Sequence, residues 1–427
     1  MKVIHRHHEN YENILNTINT SNQKISIILP ARNEYRTIGK YLPKFAKLME
    51  LGHIHEIILA DSSDDGKTIN EFLLSAMQTE PFATIMKQKI IENEPLPIKA
   101  VNVFDPRFQK LFGDKKPILG NSPGKGRAMY LGMAVATGDN YIFLDSDFFN
   151  IEPRFLNGLI GPLQNDEVKL VKATFELEDE WQTAIDECKK VKGELSTFKN
   201  LTKSTNSRNL ARPLMKLISN KYNTHPSIEL FEGPLSGGYG AKASIWKHIK
   251  IPTKYGVEVY TLMEFIKQFP KDTIAVDVNL GIVDQISADE EGQKEMGRNI
   301  VGAFLRNIRD KHNEMFEKIS KSPDTFILEY CKEAYASSVH VNDPEKINFY
   351  AELLKERILN PEILNKTFIL PSLDKNDFFI NHQEELNIFA RNITIERLNI
   401  LNEETAIKSE ETEIKSEKII EEISINA

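Results

Sequence analysis

In the first third of the chain, short apolar runs alternate with polar loops and stretches of helical periodicity. Ile25-Ser-Ile-Ile-Leu-Pro30 predicts a buried strand that Pro30 ends. After the polar loop 31–37, apolar positions at Ile38, Leu42, Phe45 and Leu48 predict a helix. A second strand is expected over Glu56–Ala60, then the polar loop Asp61–Gly66 and a helix around Ile69 to Met77. Strand, loop, helix, strand is the pattern of a parallel sheet with helices on both faces, an α/β fold. Such crossovers gather all the loops at one edge of the sheet. Residues 119–138 predict a glycine loop opening a helix that Gly138 closes, and the strand Tyr141-Ile-Phe-Leu144 follows directly.

The middle of the chain is less regular. Residues 180–210 read as a helix followed by a polar stretch, Thr202 to Asn209, and 232–240 as a glycine-rich turn. An apolar helix over Tyr260–Phe269 and a strand over Asp277–Gly281 come next, and from about 321 the spacing turns helical. The expected organisation is an N-terminal segment 1–23, a catalytic domain 24–320, a helical extension 321–401 and an acidic, unstructured tail 402–427. Ile407-Lys-Ser-Glu recurs at Ile414-Lys-Ser-Glu, two copies that are too few to define a coiled coil.

Charge changes the picture little. The net charge is −8, and the tail from Asn402 onward holds eight Glu against three Lys. A nearly neutral body argues against a general nucleic-acid binder. No apolar run is long enough to span a membrane, and the N-terminus lacks the apolar core of a signal peptide. Cys188 and Cys331 are far apart, which fits a reducing cytoplasm. His5, His7 and His8 form a terminal cluster read as incidental to any metal role.

Asp145-Ser-Asp147 carries the candidate chemistry. Carboxylates two apart on an extended strand leave on the same face, at the strand end where open α/β sheets bind ligands. Hard oxygens there suit Mg²⁺ or Mn²⁺, completed by substrate phosphates. The glycine loop is no Walker A motif: three residues separate Gly120 from Gly124, and Gly126 stands where Ser or Thr should follow the lysine. What remains is Lys125 at a helix N-terminus, a place suited to an anion.

Five motifs in order, Ile27-Ile-Leu-Pro-Ala-Arg-Asn-Glu34, Ala60-Asp-Ser-Ser63, Pro123-Gly-Lys-Gly126, Asp145-Ser-Asp147 and Gly256-Val-Glu258, resemble a GT-A nucleotide-sugar glycosyltransferase. Asn157–Leu163, Val168–Lys172, Leu210–Leu214, Gly233–Gly237 and Tyr255–Glu258 resemble more closely the glucosyl-3-phosphoglycerate synthases, over roughly residues 24–305. The resemblance implies retaining, metal-dependent transfer of a hexose from a nucleotide-sugar donor, UDP-glucose first, to a small hydroxylated acceptor such as 3-phosphoglycerate or glycerate. It implies that Pro30, Ala31, Arg32 and Glu34 line the uridine pocket and that Asp61 or Ser62 sits beside base and ribose. It also puts Lys125 at the donor phosphates, Asp145 at the nucleoside, Asp147 on the metal and Glu258 near the sugar.

Two positions depart from that pattern. The family's metal-binding His falls on Gln285, with Asp284 beside it, and either offers an oxygen. The family's Gly-Arg-x-Thr acceptor segment falls on Ser204-Thr-Asn-Ser207, so that Ser207 replaces the Thr hydroxyl and only Arg208 can stand in for the Arg. The rival readings are a GDP-mannose-dependent mannosyltransferase, a sugar-phosphate nucleotidyltransferase, whose Gly-rich signature after the first strand is missing, and a non-catalytic nucleotide-sugar-binding protein. A homodimer is left open.

Overall fold

The computed structural model describes residues 1–12, 23–111, 122–177, 206–269, 273–285, 288–336, 343–375 and 377–425. Its centre is an eight-stranded sheet in the order β1-β9-β6-β7-β5-β2-β3-β4. The strands are β1 (Lys2–His7), β2 (Ile25–Ala31), β3 (Glu56–Asp61), β4 (Ile98–Asn102), β5 (Asn140–Phe143), β6 (Val168–Leu177), β7 (Tyr239–Lys242) and β9 (Ile274–Val283). Among them only β7 runs antiparallel to its neighbours, β5 and β6. A separate antiparallel pair joins β8 (Ile251–Pro252) to β10 (Ile369–Leu370).

Strands β2, β3 and β5 are buried at every position, as apolar runs covered on both faces should be. Their alternate residues feed two cores. Ile28, Ile58 and Ala60 join one, and Ile27, Leu29, Ile57 and Leu59 join the other. Helices α1 (Tyr41–Glu50), α2 (Lys67–Gln78) and α4 (Pro153–Ile160) cover the second core. The first lies under α3 (Lys125–Val135), α5 (Val257–Gln268) and a helical layer. That layer comprises α6 (Glu290–Lys311), α7 (Asn313–Lys321), α8 (Pro323–Ala336), α9 (Pro344–Leu359) and α10 (Asp377–Ile425), the last kinked at His382.

Several elements differ from the expectation. β1 is a parallel edge strand paired with β9, so the N-terminal segment is part of the sheet. The glycine-rich stretch leads into β7, a four-residue strand too short to show periodicity. α3 stops at Val135, three residues before Gly138, whose N–H turns back to Ser26 Oγ (2.9 Å). The boundary expected after 320 falls inside the helical layer, because Phe326, Tyr330, Ile347 and Leu354 share one core with the sheet. The backbone of 402–425 continues α10 as helix where an unstructured tail was expected. The expected helix at 180–200 lies outside the described residues.

The far end of the sheet shows why the extension is integral. An edge strand leaves unpaired N–H groups that need cover. α10 supplies it: Thr394 Oγ1 accepts from the Ala100 N–H of β4 (3.0 Å). Beside it the Lys99 ammonium, fully buried, meets Glu56 (2.7 Å), Val135 O (2.9 Å) and Asn387 Oδ1 (2.9 Å). All three N–H groups of the lysine are used. Burial works against the charge of Glu56, and Lys99 together with Ser26 and Thr137 hold its pKa below the usual range.

Removing 404–427 is expected to move the melting temperature by no more than about 2 °C, because among the described residues Leu401 is the last of α10 in either core. Lys99→Ala should instead cost about 3–5 kcal/mol in urea unfolding, since it strands the buried Glu56 carboxylate.

Candidate active site

The carboxyl ends of β2, β3, β5, β6 and β9 and the start of β7 meet at one edge of the sheet. They floor a cavity of about 900 Å³. It opens where β5 and β3 leave opposite sides of β2, the switch point at which such sheets bind ligands. Pro30, Ala31, Arg32, Glu34, Ser62, Lys125, Asp145, Asp147, Ser207, Glu258 and Gln285 all line it. Asp61, Asp284 and Arg208 do not.

The carboxylate loop is held from behind. Tyr41, wholly buried on α1, donates to Asp145 O (2.8 Å) and accepts from the Phe148 N–H (3.1 Å). Thr37 Oγ1 donates to Ser146 O (2.6 Å), and Ser146 Oγ to Pro30 O (2.7 Å). These bonds tie the end of β5 to the end of β2. The loop after β2 is bound to the next strand in turn, through Asn33 N–H to Ser63 Oγ (2.7 Å). Asn33 has φ 62°, a left-handed conformation that Asn tolerates.

Lys125 sits between two carboxylates, 2.5 Å from Asp145 Oδ1 and 2.6 Å from Glu258 Oε1. Burial alone would lower its pKa, but Asp145 and Glu258 hold it well above the usual lysine range. These bonds use two of its three N–H groups. α3 can present Lys125 here because Gly126 lies against the Pro252 carbonyl, where any Cβ would collide. The other oxygen of Asp145 accepts from the Gly237 N–H (2.9 Å). Gly237 too must be glycine, for a Cβ would strike the Asp145 carboxylate. Glu258 lies in the first turn of α5, where an acid is favoured by the helix dipole.

Asp147 differs from Asp145. Its Oδ1 is out of solvent and without a hydrogen-bond partner, as is Glu34 Oε2. Burial first, then Asp145 and Glu34, push Asp147 well above the ordinary carboxylate range. Burial and the Asp145 charge raise Glu34 to about 7. Asp61, behind the cavity wall, is raised to about 6 by burial, although Ser63 N–H and Oγ both bond its Oδ1. Four carboxylates around one lysine, two of them with an unpartnered buried oxygen, form a set that fits a divalent cation.

Gln285 reaches this set through the backbone. Its segment pairs with the residues after the Asp145 loop by a Phe148–Gln285 bridge, and Phe149 N–H donates to Asp284 O (2.8 Å). Neighbours on an extended segment face opposite ways, so Gln285 lines the cavity and Asp284 does not. The acceptor segment is described only from Asn206. Ser207 lines the cavity, whereas Arg208 is buried outside the lining. The terminal histidines lie elsewhere: His5 meets Asp277 (3.4 Å), His7 meets Glu9 (3.4 Å) and His8 meets Glu12 (3.2 Å).

Some cavity residues were not singled out from sequence. Gln293, Met296, Asn299 and Ile300 on one face of α6 form a wall. Their three- and four-residue spacing was the available signal. Asn206 joins that wall to the C-terminal layer, with Nδ2 donating to Gln293 O (3.2 Å) and Oδ1 accepting from Tyr350 OH.

No protein-family model matches the chain. It is similar to the glucosyl-3-phosphoglycerate synthase of Mycobacterium tuberculosis, 25% identical over 330 residues, covering 77% of this chain and 86% of that protein. The enzyme of the same name from Petrotoga mobilis is 27% identical over 265 residues, covering 61% of this chain and 66% of the other. The crystal structure of mannosyl-3-phosphoglycerate synthase from Rubrobacter xylanophilus shares the fold. Its TM-score is 0.53 at 20% identity, covering 72% of this chain and 82% of that one. With the carboxylate loop at the switch point of a largely parallel sheet, the chain has the GT-A fold and is similar to the glucosyl-3-phosphoglycerate synthases.

Proposed function

We propose that the protein transfers a hexose from a nucleoside diphosphate sugar, UDP-glucose first, to a hydroxyl of a small acid such as 3-phosphoglycerate or glycerate. The observation that carries this reading is the unpartnered Asp147 oxygen beside the Lys125-bridged pair Asp145 and Glu258. The names of the sequence relatives support the glucosyl group and the acceptor class.

The residues divide the work by their surroundings. Asp147, with Gln285, would hold Mg²⁺ or Mn²⁺. The cation would supply positive charge to the diphosphate as it leaves. Pro30, Ala31, Arg32, Glu34 and Ser62 would line the nucleoside side, with Asp61 bracing Ser62 from behind. Asp145 already accepts from Lys125 and Gly237, so its remaining lone pairs suit a nucleoside hydroxyl better than a metal. Lys125 keeps one N–H for a donor phosphate oxygen. Glu258, ion-paired to Lys125, is a poor nucleophile, which favours transfer on one face of the sugar over a covalent intermediate. Ser207 would meet the acceptor, and Arg208 would act from behind it.

Mass spectrometry of a donor-by-acceptor panel tests the reading. UDP-glucose with 3-phosphoglycerate or glycerate should give a hexosylated product that requires Mg²⁺ or Mn²⁺. Absence of transfer with every donor would contradict it. Asp147→Ala should abolish transfer while preserving the circular dichroism spectrum and the melting transition; wild-type turnover in that variant would remove the metal assignment. Gln285→His should retain activity and shift preference toward Mn²⁺, because imidazole suits later metals better than a carboxamide oxygen. Asp284→Ala should leave turnover within about twofold, as expected for a surface change away from the site. A loss confined to Asp284→Ala would move the ligand by one position.

A further inference from the structure

Lys172 was quoted in the family resemblance without a role. It lies in the middle of β6, with no exposed surface, opposite Tyr239 of β7 and Asp277 of β9. A buried lysine needs acceptors for its N–H groups. Its Nζ donates to Ser236 O and lies over the Tyr239 ring, 4.1 Å from the centroid.

The Ser236 carbonyl and the Gly237 N–H belong to the same peptide unit, and in a trans peptide they point in opposite directions. One end of that plane is held by the Lys172 ammonium, and the other end, Gly237 N–H, is bonded to Asp145 Oδ2 (2.9 Å). Turning the plane over would aim a carbonyl at the Asp145 carboxylate. We propose that Lys172 is a positioning residue whose ammonium orients the Ser236–Gly237 peptide, so that Gly237 fixes the Asp145 carboxylate in its donor-binding position. The proposal rests on the transferase reading for its consequence in catalysis, and on geometry alone for the peptide clamp.

The surroundings support the clamp. Gly238 lies so close to Ala173 that a Cβ would collide, and the Ala173 N–H donates to Gly238 O (2.9 Å). The loop is thus seated on β6 directly after the peptide. The charged groups facing Lys172 are Glu258, Asp277, Asp145 and Lys125. Burial dominates and lowers the lysine to about 7, opposed by the three carboxylates. Tyr239 also donates to Glu258 O (2.6 Å), so the residue under the ammonium anchors the other partner of Lys125.

A double-mutant cycle separates positioning from general structural support. Lys172→Met, close in shape but without donor or charge, should lower donor kcat/KM by about ten- to a hundredfold, the worth of one hydrogen bond to a charged group. Asp145→Asn should lower it as well. Because Lys172 acts through Asp145, the double variant should be no worse than Asp145→Asn alone. Losses that multiply, or wild-type efficiency in Lys172→Met, would overturn the proposal. Should Lys172→Met not fold, Lys172→Leu takes its place in the same cycle with the same criteria. A crystal structure of the folded variant is independent of the activity. It should show the Ser236–Gly237 peptide turned or Asp145 released from Gly237, and an unchanged peptide would overturn the clamp even if no hexose transfer were found.

Discussion

The site depends on one ammonium between two carboxylates. A parallel sheet delivers all its strand ends to one edge, and here that edge receives Asp145, Asp147, Glu34 and Glu258. Four acids in a half-buried cavity repel one another, and the raised Asp147 and Glu34 register that repulsion together with burial. Lys125 compensates two of them and, in doing so, joins the first turn of α3 to the end of β5 and the first turn of α5. What stays uncompensated, Asp147 and Glu34, is what a divalent cation with its phosphate ligands would complete.

A second lysine does comparable work at the opposite end of the sheet. Lys99 binds β4 to β3 through Glu56, to the end of α3 through Val135 and to α10 through Asn387. α3 is therefore held at both ends by ion-paired ammonium groups, and the helical layer is part of the frame that aims Lys125. The layer also reaches the acceptor side, where Tyr350 OH meets Asn206 and Tyr330 OH meets Asn209 O (2.5 Å). Sheet and helical layer thus share one core and one cavity wall.

The parts legible in the sequence were those where one physical demand dominates. Strands buried on both faces must be apolar throughout, so β2, β3 and β5 stood out, and with them the loops at their ends. β1 and β7 did not, since in β1 only Val3 and Ile4 are apolar among charged and imidazole side chains and β7 has four residues. α6 opens with a charged turn, and its apolar stripe from Ile300 to Ile308 is short for its length. Glu258 and Lys125 were recognised as site residues, but their ion pair was not, because spacing along the chain carries no information on which charges meet across helices. That Gln285 and not Asp284 lines the cavity could be seen only with the bridge to Phe148. Lys172 reads as an ordinary charged residue in a strand until its burial is known.

In the proposed function Asp147 would complete a cation site at the donor diphosphate. Electron paramagnetic resonance of Mn²⁺ titrated with the protein in the presence of UDP tests it most directly, since bound Mn²⁺ loses its free-ion signal. One Mn²⁺ per chain should be taken up in a UDP-dependent manner by the wild type, and Asp147→Asn should abolish this uptake. UDP-dependent binding that is equal in the two proteins, or absent from the wild type, would contradict it.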